Sequence, residues 1–541
     1  MDNSKVDATY LAKGLEFVGM GVNIFDESYL LPPSNGRVID TNDGNVTRTP
    51  IRQTNAVETF GSNFAEFIQD FSVSAGLEGS YKGFTASVET KFARSSRESV
   101  DIKFAQLSLI SSGEMLSLSG NLKHCLNKHF KEALQADDPK KLFAAYGTHV
   151  ATKVKIGGMI SYYSYSKATE RQSTSEFEFA ARAKYKGYGA EVGANGSLTE
   201  KEKEAAKTVE GSEHLFVNGG GEVERIKVEK GDKGSYADWA ATIAASPGFI
   251  GFAPNGLLPV WELTNDPVRA AALELAFRQE AARQIQILIF SHTGEVAAHP
   301  HARVHIPKDY KLLGGGAREN YAGEGNLLTA SFPDGDTTWS ARGKDHHYHN
   351  SASISAFAIG IYDNPKLDLW EVAQFTATGA QAARPSAQVA LAADFVAKGG
   401  VLVGGGAIVD YETGVGVLLT SSYPKDATTW TANAADPLNS GPATITVFAQ
   451  GLRCKVEGVK IAVDINHVRS QSKNHPSESC STKRGFALTG GGALVDYGTG
   501  PGNLLTKSYP ENDHTWSASS KDHKELSPAT ITAYAIGLKV T

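Results

Sequence analysis

Two hydrophobic periods alternate along the first 300 residues. Leu122, Leu126, Phe130 and Leu134 recur at helical spacing and predict a helix that Asp138-Pro139 stops. The same Asp-Pro pair starts a second predicted helix that runs to Tyr146, with Gly147 suited to its C′ position. A third opens at Asp266-Pro267 and carries Leu273, Phe277, Ala281 and Leu288 on one face. Elsewhere the period drops to two. From Thr148, Val150, Val154 and Ile156 point one way and Lys153 and Lys155 the other. Gly157-Gly158 interrupts this strand before Met159 to Tyr165 resume it, and paired glycines inside a long strand predict a bend.

The period of two also runs through two longer windows. Phe71, Val73, Ala75 and Leu77 alternate with small or polar residues, as do Phe84, Ala86 and Val88, then Val100, Ile102 and Phe104. Further on, Phe177, Phe179, Ala181, Ala183 and Tyr185 alternate with Glu176, Glu178, Arg182 and Lys184, and Tyr188, Ala190, Val192 and Ala194 follow. Such arms suit half-buried strands of an ordinary sheet, and equally the strands of a membrane barrel, which need about 9–11 residues with one apolar face. Leu198 to Lys207 is instead strongly helical in composition.

After residue 300 the chain repeats itself. Residues 312–362, 402–452 and 488–538 each hold a triple glycine, a Leu-Leu-Thr strand, a Phe/Tyr-Pro turn, a tryptophan (Trp339, Trp430, Trp516) and a closing alternating strand. Helix signals nearly vanish here. The expected organisation is an α+β domain over 1–299 and an all-β domain over 300–541, with repeats at about 303–390, 391–480 and 481–541. Three all-β copies predict three sheets around a pseudo-threefold axis, a β-prism, with a propeller-like unit as the alternative. The triple glycines permit tight turns or close backbone contact.

Composition narrows the function. A net charge of −6 over 541 residues excludes a broad nucleic-acid footprint. Three cysteines exclude a disulfide framework, though pairing of Cys454 with Cys480 stays open. No run of 18 apolar residues predicts a spanning helix. Met1 to Asp7 lacks an apolar core, so release without a recognisable signal peptide is expected.

Candidate chemistry is sparse. Walker, nucleophile-elbow, His-Glu-x-x-His and Cys-x-x-Cys motifs are missing, so no catalytic residue is assigned and no enzyme is expected. No cofactor or metal is expected either. Lys344-Asp345-His346-His347-Tyr348-His349 holds three histidines, but the second repeat lacks them and adjacent loop histidines commonly sit in solvent. Asp410-Tyr411 and Asp496-Tyr497, with Asn320-Tyr321 in the first repeat, pair an acceptor with a ring beside glycine N–H groups. That combination suits a glycan or other receptor, and equally a turn cap beside a core aromatic.

Tyr146-Gly147-Thr148-His149, followed by Gly157-Gly158, resembles the signature of the membrane-attack-complex/perforin (MACPF) family. Val150 stands where that family usually carries an aromatic. Phe216-Val217-Asn218-Gly219-Gly220-Gly221, Trp239, Ser246-Pro247 and Leu258-Pro259-Val260-Trp261 agree, and the resemblance covers roughly residues 10 to 290. With a three-part β-domain behind it, the chain looks like the bacterial insecticidal MACPF toxins. The resemblance implies a bent, twisted antiparallel sheet flanked by two helical clusters, which unfurl into two amphipathic β-hairpins per subunit. Here the hairpin windows are about 71–107 and 172–208. It further implies a ring of subunits sharing one barrel in the target-cell membrane, with the C-terminal domain on a receptor. A non-lytic binding protein or lectin-like adhesin is the alternative. Gly157 and Gly158 are the expected hinge, and His149 is expected to hold the helix–strand junction by a buried hydrogen bond.

Overall fold

The computed structural model describes residues 14–25, 32–42, 44–74, 88, 91–93, 96–97, 99, 102–167, 172–188, 198–211, 215–232, 235–323, 325–410, 416–436 and 441–541. The chain divides into two compact units between Gln284 and Ile285, earlier than the expected 299. The strand Ile287–Thr293 accounts for the difference, because it pairs with Ser353–Tyr362 of the second unit. Leu288 lies in that strand and not on the preceding helix, which is Pro267–Arg283. Asp266 caps that helix, its Oδ1 accepting from the N–H groups of Val268 and Arg269 at 2.9 and 3.3 Å. The helix expected over 122–134 is split. A 3-10 turn over Leu122–His124 precedes Lys128–Ala136, which Asn127 restarts as N-cap. An N-cap side chain inside an apolar period overrides the spacing.

The first unit is built on three long antiparallel strands, β1 (Val46–Gly61), β2 (Phe104–Leu118) and β3 (Lys153–Ser166), in that order. Val209–Gly211, Phe216–Asn218 and Gly248–Phe252 add to β3. Helix α1 (Phe64–Ser74) lies between β1 and β2 in the chain, and α2 (Thr174–Gly187) and α3 (Glu200–Ala206) lie between β3 and Val209–Gly211. Side chains alternate across a strand, and here both faces are used. Ala105, Leu107, Ile160 and Tyr162 meet Phe177, Ala180 and Ala181 of α2. Phe104, Met159 and Tyr163 meet Phe67, Ile68 and Phe71 of α1. A sheet covered on both faces explains why β3 buries large side chains of both parities, Met159 and Tyr163 on one face and Ile160 and Tyr162 on the other.

The second unit consists of three six-stranded antiparallel sheets. Each draws strands from two repeats. Ser331 of the first repeat pairs with Ala407 of the second, Ser422 of the second with Ala493 of the third, and Ser508 of the third with Ala317 of the first. The triple glycines lie within strands and supply contact, not turns. A Cβ on Gly404 would lie 2.9 Å from Gly314 Cα, one on Gly490 2.9 Å from Gly404 Cα, and one on Gly314 3.3 Å from Gly490 Cα. The three first glycines therefore close a ring of backbone contacts. The second glycine of each triplet seats a tryptophan ring, so that a Cβ on Gly405 would meet Trp430 at 2.3 Å. Each indole also donates to a serine on the neighbouring strand: Trp339 to Ser331 at 3.0 Å, Trp430 to Ser422 at 2.9 Å and Trp516 to Ser508 at 3.0 Å. Leu327, Leu418 and Leu504 meet in one fully buried cluster. Truncating any of these buried tryptophans to alanine costs about 3–5 kcal/mol.

Candidate functional site

Four neighbouring strands lose register at one level, and irregularities of this kind bend the strands that carry them. β1 breaks between Pro50 and Gln53, β2 between Ser112 and Glu114, and Gly248–Phe252 shifts against β3 between Lys155 and Ile156. Gly157 and Gly158 sit at this level. A Cβ on Gly157 would come 2.2 Å from Ser111 O, and one on Gly158 would strike Ile243 Cδ1 at 2.5 Å and Trp239 Cζ2 at 2.7 Å. Side chains are thus excluded at both positions by backbone on one side and by helix α4 (Ser235–Thr242) with its following turn on the other.

Gly219-Gly220-Gly221 completes the seat of that helix. Gly219 has φ of 74° and would place a Cβ 2.1 Å from Gly157 O. Trp239 Nε1 donates to Gly219 O at 2.8 Å, and the Gly221 N–H donates to Thr242 Oγ1 at 2.7 Å. A cavity of about 360 Å³ beside the bend is lined by Ser112, Gly113, Ile156, Ile243 and Pro247, and by the ion pair of Arg48 with Glu114 at 2.6 Å. The motif Phe216 to Gly221 was visible in the sequence, but its contact with Gly157 was not. A long-range glycine-to-glycine approach leaves no periodic trace.

Two helical clusters, one on each face of the sheet, hold the sequence windows with period two. Phe71, Val88, Ile102 and Phe104 are buried in the first. Val73 is helical, while Leu77, Phe84 and Val100 lie outside the described residues. In the second, Phe177 is buried and Tyr185 and Tyr188 are half-buried, while Val192 lies outside the described residues. Phe179 remains 39% exposed, with Lys201 Nζ 5.5 Å from its ring. An alternating pattern wound into a helix cannot bury every apolar residue, and Phe179 is the remainder. Capping boxes start both helices of the second cluster: Ser173 with Glu176, and Thr199 with Glu202. The expected helix over 198–207 is thus Glu200–Ala206.

Polar links hold the second cluster, among them Lys184 Nζ donating to Val209 O at 2.7 Å. Arg182 donates to Glu58 Oε2 of β1 from Nε at 3.0 Å and Nη2 at 2.9 Å, and Lys186 reaches Glu202 at 3.0 Å. The Thr199 backbone N–H, with Lys186 and the Thr199 hydroxyl, holds the Glu202 carboxyl down at about 2. The half-exposed Arg182–Glu58 pair contributes about 0–1 kcal/mol. Beneath α2, the buried Tyr162 hydroxyl has no partner among the described residues, which costs about 1–3 kcal/mol. Burial drives that phenol well above its ordinary range.

His149 is held by its neighbouring threonine and by aromatic rings. Its Nδ1 lies 2.9 Å from Thr148 Oγ1, and its ring meets Trp261 and Phe277 edge-on at 5.6 and 5.4 Å. Burial pushes its pKa down to about 3, so the imidazole is neutral. The junction itself is made by Thr148 and Gly147. The Thr148 N–H donates to Val22 O at 2.9 Å, its hydroxyl accepts from Ile24 N–H at 3.3 Å, and Gly147 has φ of 73°. Tyr146 meets Phe130 edge-on at 5.2 Å.

Residues 14–266 match the MAC/Perforin domain family. The first unit is a MAC/perforin domain. No match was found among curated protein sequences. Among solved structures, GNIP1Aa from Chromobacterium piscinae is similar at TM-score 0.42 and 17% identity, over 66% of this chain and 72% of that one. A putative cell invasion protein with a MAC/Perforin domain from Bacteroides thetaiotaomicron has TM-score 0.36 and 14% identity, over 51% and 60%. Astrotactin-2, a vertebrate-specific perforin-like membrane protein involved in neuronal development, has TM-score 0.32 and 10% identity, over 64% and 72%. Within the MAC/perforin domain, Val150 is fully buried between Gly21 and Leu258 on neighbouring strands, where the family's aromatic would stand. No described helix is long and apolar enough to cross a membrane.

The receptor candidates Asn320, Asp410 and Asp496 each end a strand that carries a triple glycine. Asn320 donates to Ser355 Oγ at 2.9 Å, and Asp496 is paired with Arg469 at 2.7 Å. Lys521 Nζ lies 5.3 Å from the Tyr321 ring and Arg384 6.0 Å from that of Tyr497. Asp410 is exposed, and Tyr411 lies outside the described residues. His346 is not solvated: it is 1% exposed, with Nε2 3.6 Å from Asp436 Oδ2, while His347 and His349 are exposed. No described group of three or more His, Cys, Asp or Glu has metal-binding geometry. Cys454 and Cys480 are not joined by a disulfide.

Proposed function

We propose that the MAC/perforin domain is a pore-forming module whose two helical clusters extend as β-hairpins, and that the three-sheet unit, closed as a β-prism, delivers it to target cells. Strand register carries this reading. Gly61 pairs with Phe104, and Ser166 pairs with Val209. Each cluster therefore joins two strand ends that are already neighbours. The joined segments are residues 62–103 and 167–208, each 42 residues long.

Continuing those registers brings every apolar arm to one face. Odd positions on β1 and β3, and even positions on β2 and on the strand at Val209–Gly211, share the face of Phe104, Met159 and Tyr163. Phe71, Val73, Ala75 and Leu77 extend β1 at odd positions, and Phe84, Ala86, Val88, Val100 and Ile102 enter β2 at even ones. Phe177 to Tyr185 extend β3 at odd positions, and Ala190, Val192 and Ala194 return at even ones. The loops then fall on Lys82-Gly83 and Gly187-Tyr188, two-residue turns that each contain glycine. The hairpin windows accordingly become 62–103 and 167–208. Arms of about 20 residues reach ~66 Å at ~3.3 Å per residue, enough to cross a ~30 Å hydrocarbon core.

Open strand edges leave backbone groups unsatisfied in lipid, so hairpins from many subunits must close one barrel. Insect gut cells are the target class that the sequence resemblance implies, and no catalytic step enters the mechanism. The test is dye release from vesicles of brush-border lipid extract, followed by electron microscopy of the same vesicles. Release together with ring-shaped oligomers supports a pore. Binding with neither release nor rings would leave the non-lytic adhesin as the better reading.

A further inference from the structure

The pseudo-threefold repeats make departures from symmetry easy to see, and one coincides with a cavity. On the strand that closes the first repeat, Ile359 lies opposite Ile289 of the neighbouring strand, and on the strand that closes the third, Ile536 lies opposite Ile465. On the strand that closes the second repeat, the equivalent pair is Gln450 opposite Gln374. Ile359, Gln450 and Ile536 hold one position, each facing the first glycine of its triplet on the next strand. An aliphatic pair has been exchanged for two amides in one repeat alone.

Gln450 is 2% exposed, and its Oε1 has no hydrogen-bond partner among the described residues. A buried acceptor left unpaired costs about 1–3 kcal/mol, which the isoleucines of the other repeats avoid. Both glutamines line a cavity of about 260 Å³ together with Trp370. Its wall carries two cations, Lys311 and Lys455, and two carboxylates, Asp336 and Glu371. These charges are largely compensated within the unit. Lys455 pairs with Asp368 at 2.5 Å, Lys311 Nζ lies 3.9 Å from Asp363, and Glu371 pairs with Arg453. The cavity lies at the opposite end of the strand Tyr310–Asn320 from Asn320, so it is separate from the Asn/Asp-Tyr positions.

We propose that this cavity binds one neutral saccharide residue, with a sugar hydroxyl donating to Gln450 Oε1. A cavity below the ~300–1,000 Å³ of drug-sized sites suits a single sugar ring. Hydroxyls both donate and accept, which matches amide and carboxylate acceptors set among lysine donors. Charges balanced on the wall favour a ligand without net charge. The inference rests on the reading of the three-sheet unit as the recognition module, and it is independent of pore formation.

The test uses the full chain in solution without membranes. Methyl glycosides of glucose, galactose, mannose and the N-acetylhexosamines are titrated by calorimetry and by saturation-transfer NMR. At least one is expected to bind, and Gln450→Ile is expected to weaken it about tenfold or more, equivalent to ~1.4 kcal/mol. That substitution restores the residue of the other two repeats, so the thermal midpoint is expected to stay level or rise. Gln374→Ile, at the exposed partner strand, gives a second variant if the first fails to fold. No binding by the wild-type chain, or unchanged binding by both variants, would overturn the proposal. Dye release that persists in Gln450→Ile on glycan-free vesicles separates this site from the pore.

Discussion

Permeabilisation of vesicles is expected to vanish when residue 58 is joined to residue 182. The chain would carry Glu58→Cys and Arg182→Cys with its own three cysteines replaced, and a short cleavable bis-thiol reagent would bridge the two. In the native chain Arg182 holds Glu58 through two hydrogen bonds at 2.9 and 3.0 Å, and this is the direct polar tie from α2 to β1. Such a half-exposed pair is worth about 0–1 kcal/mol and opens readily. A covalent bridge does not open, and α2 cannot leave the face of the sheet that Phe177 and Ala181 cover. Leakage should fall to the level of the uncrosslinked fraction and return when the bridge is cleaved. Leakage unchanged by complete crosslinking would mean that the second helical cluster stays folded in the pore.

The largest expected loss of stability is in the second unit, at Gly404→Val. The added Cβ would lie 2.4 Å from Leu313 O and 2.9 Å from Gly314 Cα, both backbone atoms of another repeat. The ring of first glycines holds all three sheets together, so opening one contact strains the other two. A loss of at least ~3 kcal/mol follows from overpacking against backbone that has no room to retreat. Urea unfolding followed through Trp339, Trp430 and Trp516 measures it, since each indole sits against the glycine next to the ring. Gly441→Ala is the control. A Cβ there meets nothing within 4 Å, so its effect should stay within about 0.5 kcal/mol. Wild-type stability in Gly404→Val would show that the sheets do not close around these glycines.

What could be read from the sequence followed from its periods. The repeats announced three copies, and the pairing of Ser331, Ser422 and Ser508 with the next repeat in turn shows how those copies share sheets. That sharing is long-range and leaves no spacing to read. The glycine pair at 157 and 158 marked a bend, yet the third participant, Gly219, is about sixty residues away and meets Gly157 only through the fold. Period two in residues 177–185 named strands, while the unit holds them as α2, because capping by Ser173 and burial against Tyr162 outweigh the pattern in this state. Phe179, left outside, records the conflict between pattern and helix. The glutamine pair at 374 and 450 carries no motif of its own, because it departs from the repeat instead of taking part in it.

Pore formation by hairpins requires residues 176–185 to change from helical to strand periodicity in the membrane. Single cysteines at each position, in a chain otherwise free of cysteine, can carry a fluorophore quenched by nitroxide-labelled lipid. With the protein bound to vesicles, the register predicts strong quenching at 177, 179, 181, 183 and 185 and weak quenching at the even positions between them. Quenching that follows a period near 3.6, or none at any of the ten positions on leaking vesicles, would contradict the hairpin.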